Sequence, residues 1–278
     1  MLYIVGTPIG NMADITYRAV ETLKNVQLIA AEDTRQTAKL LAHYEVGTPL
    51  TSYHEHNKAA KGEQLIEKLK SGMDIALVSD AGMPCISDPG CELVKSCIEN
   101  NIDFTAVPGP CAFVTGVVLS GLKTQNFKFV GFLSVRNSER ATKLEQLKAE
   151  TETLIFYEAP HKLLRTLKDF ETAFGSDRSI AACRELTKKF EEVRRGTVRE
   201  LREYFENTPI KGEFVLVLEG AKPQTLEFNM SVCEHVEMLM AGGMDKKSAI
   251  SAAAKQRGIP KKEVYNQVLH IKGDNKNG

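Results

Sequence analysis

Several features that would assign a function directly are missing from this 278-residue chain. No run of about 18 apolar residues occurs, so we expect no membrane span. The chain also lacks the motifs G-x-G-x-x-G, G-x-x-x-x-G-K-[ST], G-x-S-x-G and H-E-x-x-H. The sequence therefore gives no motif-based support for a dinucleotide- or ATP-binding protein, an α/β-hydrolase or a zinc protease. The six cysteines include no C-x-x-C pair, so we expect no structural zinc and no other bound metal.

The chain has no net charge at neutral pH, because 36 basic residues balance 36 acidic ones. The total charge therefore does not indicate a polyanionic partner. The distribution is uneven: from Asp245 onward, eight basic residues stand against three acidic ones. A basic tail on a mildly acidic body is a modest indication of nucleic acid. The amino terminus has no basic region before its first apolar segment, so we expect no signal peptide. The six cysteines suit reduced, small apolar residues, and we therefore expect a cytoplasmic protein.

Apolar segments with strand and helix spacing alternate over about two hundred residues, which is typical of a mostly parallel α/β protein. The predicted strands cover residues 2–5, 27–31, 75–78, 102–107, 129–133, 154–157, 180–183 and 213–218. The alternation restarts after Gly121. We therefore predict two consecutive α/β domains, residues 1–121 and 122–222.

The composition changes after residue 222, and residues 223–278 are predicted to be all-helical. One predicted helix is centred on Val236, and two others cover residues 246–257 and 261–271. Gly258 is a typical residue just after a helix end, and Pro260 is a stop signal. Two helices joined by such a turn resemble a helix-turn-helix. The pattern fits equally well a small packing module that has no role in nucleic-acid binding.

Glycine and proline are concentrated after three predicted strands, at residues 6–11, 79–90 and 108–110. The carboxyl ends of parallel strands share one edge of a sheet, so these loops should meet there. The second loop, SDAGMPCISDPG, has about twice the usual length of a strand-to-helix connection. Asp80 at the strand tip suits a ligand hydroxyl or ammonium group. This loop is therefore predicted to be a binding site.

Charged clusters follow three further strands: AEDTR at residues 31–35, YEAPHK at 157–162 and RELTKK at 184–189. A single cluster of this kind more often solvates a loop or caps a helix. Three of them in two adjacent domains favour a shared cleft.

Taken in order, GTPIGN, AEDTR, SDAGMPCISDPG, VPGP, FYEAPHKL and KGEFVLVLEG resemble the motifs of the tetrapyrrole-methylase-like (class III) S-adenosylmethionine methyltransferases. The match spans residues 2–220, and the helical tail resembles the extension of a ribosomal RNA-modifying branch of that family. The resemblance implies two α/β domains with S-adenosylmethionine in the cleft between them, usually in a homodimer. It also implies 2′-O-methylation of a cytidine in the decoding region of 16S rRNA, within the small ribosomal subunit, with S-adenosylhomocysteine as the product.

The resemblance further implies which residues surround the cofactor. In the first domain these are Pro8, Asp80, Gly82, Pro84, Ile86, Ser87, Ala112 and Phe113. In the second domain they are Phe156, Tyr157, Glu213, Phe214 and Val215. The candidate catalytic residues are Glu32, Asp33, Arg35, Glu158 and Glu185, and the sequence does not choose the base among the four acids. Arg35, Arg184 and Lys188 suit RNA phosphates.

Two other functions stay open at this point. A small-molecule methyltransferase acting on a corrin-type tetrapyrrole would use the same cleft, but would need neither the basic tail nor the charged clusters. A non-catalytic nucleic-acid-binding protein would use the tail, but would not need two large domains with constrained loops. The tail itself serves either RNA contact or dimer packing.

Overall fold

The computed structural model describes residues 1–222 and 229–269. The chain divides into two compact units, Met1–Gly220 and Ala221–Gly278. The larger unit contains two five-stranded sheets, and the smaller one contains helices. The predicted tail boundary at residue 223 and the end of the predicted helix at 270–271 lie outside the described residues, as do the tail charges beyond residue 269.

The first sheet is parallel throughout, with strand order β3-β2-β4-β1-β5. Its strands are β1 (Leu2–Val5), β2 (Leu28–Ala31), β3 (Leu50–Ser52), β4 (Ile75–Val78) and β5 (Phe104–Val107). Its helices are α1 (Tyr17–Asn25), α2 (Thr34–His43), α3 (Lys58–Lys70) and α4 (Cys91–Glu99). Residues of α1 and α2 join one apolar cluster with the sheet, and residues of α3 and α4 join another. Both faces are covered, so β4 is buried along its whole length.

The second sheet has the order β6-β7-β10-β8-β9. Its strands are β6 (Phe127–Phe132), β7 (Thr153–Glu158), β8 (Ser179–Arg184), β9 (Glu192–Thr197) and β10 (Phe214–Leu218). The helices α6 (Asn137–Leu147), α7 (Leu163–Phe174) and α8 (Val198–Glu206) supply the apolar cluster on one face.

The expectation of a mostly parallel protein is wrong for this second sheet. Only β6 and β7 pair in parallel, and the pairs β7–β10, β10–β8 and β8–β9 are antiparallel. The strand β9, which the sequence did not predict, explains part of the difference. The connection from Arg184 to Glu192 is too short for a crossover, so β8 and β9 form a hairpin.

The helix α5 (Ala112–Ser120) joins the two sheets. It follows β5 along the chain, but Val117 packs in one apolar cluster with Ile155 and Val215 of the second sheet. A Cβ atom on Gly116 would lie 2.7 Å from Val215 Cγ1, so a side chain at position 116 would not fit. This shared core is consistent with residues 1–220 forming one compact unit, and the domain boundary at residue 121 stays a prediction.

The three loops rich in glycine and proline meet at the carboxyl edge of the first sheet. The backbone groups of Thr7 and Gly82 exchange hydrogen bonds of 2.9 and 3.1 Å. A Cβ atom on Gly109 would lie 2.9 Å from Gly6 Cα, so the first and third loops touch through their backbones. Only glycine permits this approach. The grouping predicted from strand polarity is therefore present.

The C-terminal unit contains α9 (Val232–Ala241), α10 (Lys246–Arg257) and α11 (Lys261–Gln267). Ser231 and Glu234 form a capping box at the start of α9. Gly258 ends α10 in the left-handed region with φ of 64°. The three helices share a small core that includes Val236, Ile250 and Val264. None of the helices that the structure describes is long and apolar enough to cross a lipid bilayer.

Candidate active site

A cavity of about 530 Å³ lies within residues 1–220, between the two sheets. Its first wall comes from the carboxyl edge of the first sheet, and its second wall comes from the ends of β7 and β8. The strand β10 runs antiparallel to both neighbours, so Phe214 at its start pairs with Glu158 and Arg184 at their ends. The volume lies within the range of small-ligand pockets, about 300–1,000 Å³.

Three carboxylates line one part of this cavity: Glu32, Asp80 and Asp88. Burial raises the pKa of Glu32, and the charges of Asp88 and Asp80 raise it further. Burial likewise raises the pKa of Asp88, and the charge of Asp80 adds to this effect. A hydrogen bond from Ser79 lowers the same pKa but does not cancel the increase. Carboxylates that repel one another in a partly desolvated site favour a positively charged ligand. Across residues 1–222 and 229–269, no group of three or more His, Cys, Asp or Glu side chains is arranged to hold a metal ion.

Apolar side chains form much of the remaining wall, among them Ile9, Met83, Phe132 and Leu186. Tyr157 also lines the cavity, and its hydroxyl accepts a 3.2 Å hydrogen bond from the backbone amide of Phe113. Burial raises the pKa of Tyr157 above its usual range, so the phenol stays protonated at neutral pH. The site therefore offers apolar surface for a planar group beside carboxylates for a cationic one.

A lysine between two carboxylates closes another side of the cavity. The Lys188 ammonium lies 2.9 Å from Glu185 Oε1 and 2.9 Å from Glu213 Oε2. Burial alone would raise the pKa of Glu185, but hydrogen bonds from Lys188 and from the Glu213 amide hold it below its usual range. Glu185 is therefore ionised and already paired at neutral pH.

The structure brings most of the predicted site residues to this cavity. Of the candidate catalytic and RNA-binding residues, those lining it are Glu32, Glu158, Glu185 and Lys188. Of the predicted cofactor-binding residues, those lining it are Asp80, Gly82, Ile86, Ser87, Ala112, Tyr157, Glu213, Phe214 and Val215. The predicted residues not lining it are Pro8, Asp33, Arg35, Pro84, Phe113, Phe156 and Arg184. The roles assigned to all of these residues stay predictions.

Two of the outlying residues have clear structural positions. Phe156 is fully buried and packs on Phe170, with 4.7 Å between ring centroids, because successive side chains of β7 point to opposite faces. Tyr157 therefore faces the cavity, and Phe156 faces the core on the other side. Arg184 forms an ion pair of 2.7 Å with Glu192 on the neighbouring strand.

Geometry separates the four acids that were candidates for the base. Asp33 caps α2 and lies 2.6 Å from Arg35 Nη2, and the hydrogen bonds from Arg35 lower the pKa of Asp33 to about 2. The buried carboxylate of Glu158 accepts hydrogen bonds from the Thr166 hydroxyl and the Ala159 amide. With Glu185 paired to a lysine, Glu32 is the acid whose pKa is displaced toward neutrality.

Several residues that line the cavity were not among the predicted site residues. The most important of them is Asp88, because it adds a third carboxylate beside Glu32 and Asp80. The signal was present, because Asp88 is the second aspartate of the SDAGMPCISDPG loop. Phe132 and His161 were also missed. Phe132 lies within the predicted strand 129–133, and His161 belongs to the YEAPHK cluster, but only the packing of the two sheets shows which of these side chains face the cavity.

Two α/β sheets paired across a cleft match the fold of the tetrapyrrole methylases. The chain belongs to the family described as tetrapyrrole (corrin/porphyrin) methylases, whose model matches residues 1–202. Its members use S-adenosylmethionine as methyl donor.

Relatives with higher identity carry a more specific name. The chain is 49% identical over 270 residues to a protein of Halalkalibacterium halodurans called ribosomal RNA small subunit methyltransferase I, with 95% of this chain and 93% of the relative covered. The protein of that name from Bacillus subtilis is 49% identical, with 98% and 94% covered. The one from Escherichia coli O157:H7 is 42% identical, with 98% and 96% covered.

Solved structures support the fold. The uroporphyrin-III-C-methyltransferase of Thermus thermophilus superposes with a TM-score of 0.57 at 18% identity, covering 78% of this chain and 93% of the other. A structure of that enzyme complexed with S-adenosylhomocysteine gives a TM-score of 0.56 at 15% identity, with 78% and 96% covered. At these identities the likeness concerns the fold alone.

Proposed function

We propose that this protein transfers the methyl group of S-adenosylmethionine to the 2′-oxygen of a cytidine in the decoding region of 16S rRNA. The observation that carries the proposal is the acidic and apolar cavity in a chain whose relatives, at 42–49% identity over nearly their whole length, are ribosomal RNA small subunit methyltransferases. The cytidine and the 2′-oxygen rest on the resemblance of the motifs. The product left in the cleft is S-adenosylhomocysteine.

The residues of the cavity fit the proposed cofactor. S-adenosylmethionine supplies an electrophilic methyl group on a sulfonium, and its ammonium and sulfonium charges are both positive. Asp80, with Asp88, would offer negative charge and acceptors for ribose hydroxyls or the ammonium group. Ile9 and Val215 would contact the apolar adenine faces. Isothermal titration with S-adenosylmethionine tests this fit without any RNA.

Glu32 is the residue we propose as the base for the ribose hydroxyl. The acceptor needs to lose a proton as it attacks the methyl group, and a base with a pKa displaced toward the working pH is the more effective one. Burial, and then the charges of Asp88 and Asp80, displace the pKa of Glu32 in that direction. The remaining task of the site is to hold the hydroxyl and methyl group in line, which positioning alone promotes strongly.

The proposed RNA partner would contact two charged regions. Arg35 has a side chain that is 87% exposed near the cavity, and its guanidinium suits a phosphate. The C-terminal helices carry basic residues that include Lys246, Lys247, Lys261 and Lys262. Deleting residues 225–278 should impair methylation of the ribosomal substrate more than binding of S-adenosylmethionine, and an unchanged rate would contradict a role in RNA contact.

We also propose that the protein is a homodimer. Large apolar side chains are exposed on two edge strands and on α5: Phe104, Val114, Val118, Phe127 and Phe132. Val114 and Val118 are four residues apart and lie on one face of α5, and an exposed apolar helix face is typical of a protein interface. Light scattering should give twice the chain mass for the wild type and the single chain mass for Val118→Arg. A monomeric wild type would overturn the proposal.

A tetrapyrrole acceptor is the second candidate, because the family description and the solved structures name tetrapyrrole methylases. The two candidates separate in one experiment. The enzyme is supplied with labelled S-adenosylmethionine and either small ribosomal subunits that lack the modification or uroporphyrinogen III. Label on RNA alone supports the proposed function, and label on the tetrapyrrole alone replaces it.

We expect the methylation of ribosomal RNA to take place in the cytoplasm, where ribosomes are assembled.

A further inference from the structure

The connection between β8 and β9 is an unusually well-fixed loop at the rim of the cavity. It contains two consecutive turns, closed by hydrogen bonds from the Lys188 amide to the Glu185 carbonyl (3.0 Å) and from the Glu191 amide to the Lys188 carbonyl (3.1 Å). Glu185 and Thr187 have φ values of 51° and 64°, which is rare for residues other than glycine. Such backbone strain persists only where the surroundings impose it.

Contacts with both sheets impose this conformation. Thr187 Oγ1 accepts a 3.0 Å hydrogen bond from the Asn11 amide, which belongs to the first loop of the first sheet. The Thr187 amide donates to Glu191 Oε2 at 2.6 Å, and Lys188 is held between Glu185 and Glu213. The two turns therefore form a rigid projection beside the cavity, which Leu186 and Lys188 line.

The tip of this projection carries an aromatic ring that is not packed in a hydrophobic core. Lys189 and Phe190 are the two central residues of the second turn, and the Phe190 residue is 69% exposed. The Lys189 ammonium lies 5.7 Å from the centroid of the Phe190 ring. Unlike Lys188, Lys189 forms no ion pair among the residues that the structure describes. An exposed ring beside an unpaired cation is thus presented on a fixed turn.

We propose that Phe190 is a stacking platform for an unpaired nucleobase of the RNA substrate, next to the nucleotide that enters the cavity, with Lys189 beside the adjoining phosphate. This inference rests on the proposed RNA methylation and adds a residue that positions the substrate. Sequence-specific RNA recognition commonly splays bases out of a loop and stacks them on aromatic side chains. The ring offers the flat face, and the lysine offers the charge that a flanking phosphate requires.

The alternative explanation is a surface phenylalanine without a role, since single exposed apolar residues are common. Position distinguishes the two. Phe190 lies on the turn that directly follows the cavity-lining segment at residues 185–188, and that segment is tied to the first sheet through Thr187. The platform also predicts a dependence on aromaticity, which a nonspecific apolar contact does not.

The test compares Phe190→Ala, Phe190→Leu and Phe190→Tyr with the wild type. Each full-length protein is assayed for methyl transfer to small ribosomal subunits from a strain lacking this gene, for direct binding to those subunits by filter retention, and for S-adenosylmethionine affinity by calorimetry. Ile98→Ala is the matched control. Ile98 is 60% exposed near the end of α4, at the opposite edge of the first sheet from the cavity.

We expect Phe190→Ala and Phe190→Leu to weaken subunit binding and raise KM about 5- to 150-fold, the range for loss of one base–aromatic stack. Phe190→Tyr and Ile98→Ala should behave as the wild type, and kcat and cofactor affinity should stay unchanged in all variants. Wild-type binding by Phe190→Ala overturns the platform, and so does wild-type binding by Phe190→Leu alone, since an apolar contact then suffices. If the wild type itself transfers no methyl group to the subunits, the proposed function fails instead.

Discussion

The backbone amide of Asp33 donates a 2.9 Å hydrogen bond to Oδ1 of Asp80. This bond ties the loop after β2 to the loop after β4, two segments that the sequence marked separately. Asp80 therefore has two tasks, because it holds the AEDTR loop and also presents negative charge to the cavity. The two tasks separate on substitution.

Asp80→Asn keeps an oxygen for the Asp33 amide but removes the charge. We expect S-adenosylmethionine binding to weaken by roughly 10- to 150-fold, corresponding to about 1.5–3 kcal/mol for a hydrogen bond to a charged group. Asp80→Ala should bind still more weakly, because the tie between the loops is also lost. Calorimetric titration of both variants measures this, and wild-type affinity in Asp80→Asn would remove Asp80 from the cofactor site.

Glu32→Gln should lower kcat by about 10²-fold or more, the usual contribution of a general base. The base works in its ionised form, so the wild-type rate should fall as the pH drops through a Glu32 pKa that lies above the ordinary 4.5. The Gln variant should lack this acid limb. Asp80→Asn should move the limb to lower pH, because the Asp80 charge contributes to raising the pKa of Glu32.

Asp33→Asn is the control for this assignment. Asparagine caps a helix as well as aspartate does, and the lost partner, Arg35, has a highly exposed side chain, so the rate should change little. A large loss in Asp33→Asn with full activity in Glu32→Gln would transfer the role of base to Asp33.

Gly10→Ala should disturb the contact between the two sheets. A Cβ atom there would overlap Lys188 Cγ and lie 2.9 Å from Thr187 Oγ1 and 3.1 Å from the Leu186 carbonyl oxygen. Overpacking of this kind costs about 1–3 kcal/mol, so we expect a lower thermal midpoint together with slower methyl transfer. Gly47→Ala is the matched control, because nothing lies within 4 Å of its added Cβ atom. Equal effects of the two substitutions would contradict the role of this contact.

His235 should make the C-terminal helices sensitive to acid. Its ring is buried, and Nδ1 accepts a 3.0 Å hydrogen bond from Arg257 Nε. Burial, with the charge of Arg257, lowers the pKa of His235 below the ordinary 6.5. At a pH between the lowered pKa of His235 in the folded protein and the ordinary value of 6.5, the unfolded chain binds more protons than the folded one. The free energy of unfolding therefore decreases as the pH falls through this range. Above pH 6.5 the contribution is complete.

Hydrogen exchange of amides in α9–α11 at pH 7.5 and 5.5, corrected for intrinsic rates, measures this effect. The wild type should lose protection at the lower pH. His235→Gln, whose side chain accepts a hydrogen bond without titrating, should lose much less. Equal pH dependence in both proteins would show that another group is responsible.

The sequence predicted the meeting of the three loops better than the pairing of the second sheet, because the two depend on different kinds of information. Strand polarity and turn residues are local properties, so Asp80 and the three loops could be placed at one edge. Strand pairing is not local: β9 carries the sequence EVRRGT, with one large apolar residue, and its existence depends on β8 beside it. The facing of Phe156 and Tyr157 also required the packing of α5 and α7 on opposite faces of β7.

The most direct test of the account is methyl transfer from labelled S-adenosylmethionine to small ribosomal subunits of a strain lacking this gene, followed by nuclease mapping of the RNA. The account predicts label on a single 2′-O-methylcytidine in the decoding region. Label on a base, or no label on RNA while S-adenosylmethionine still binds, would contradict it.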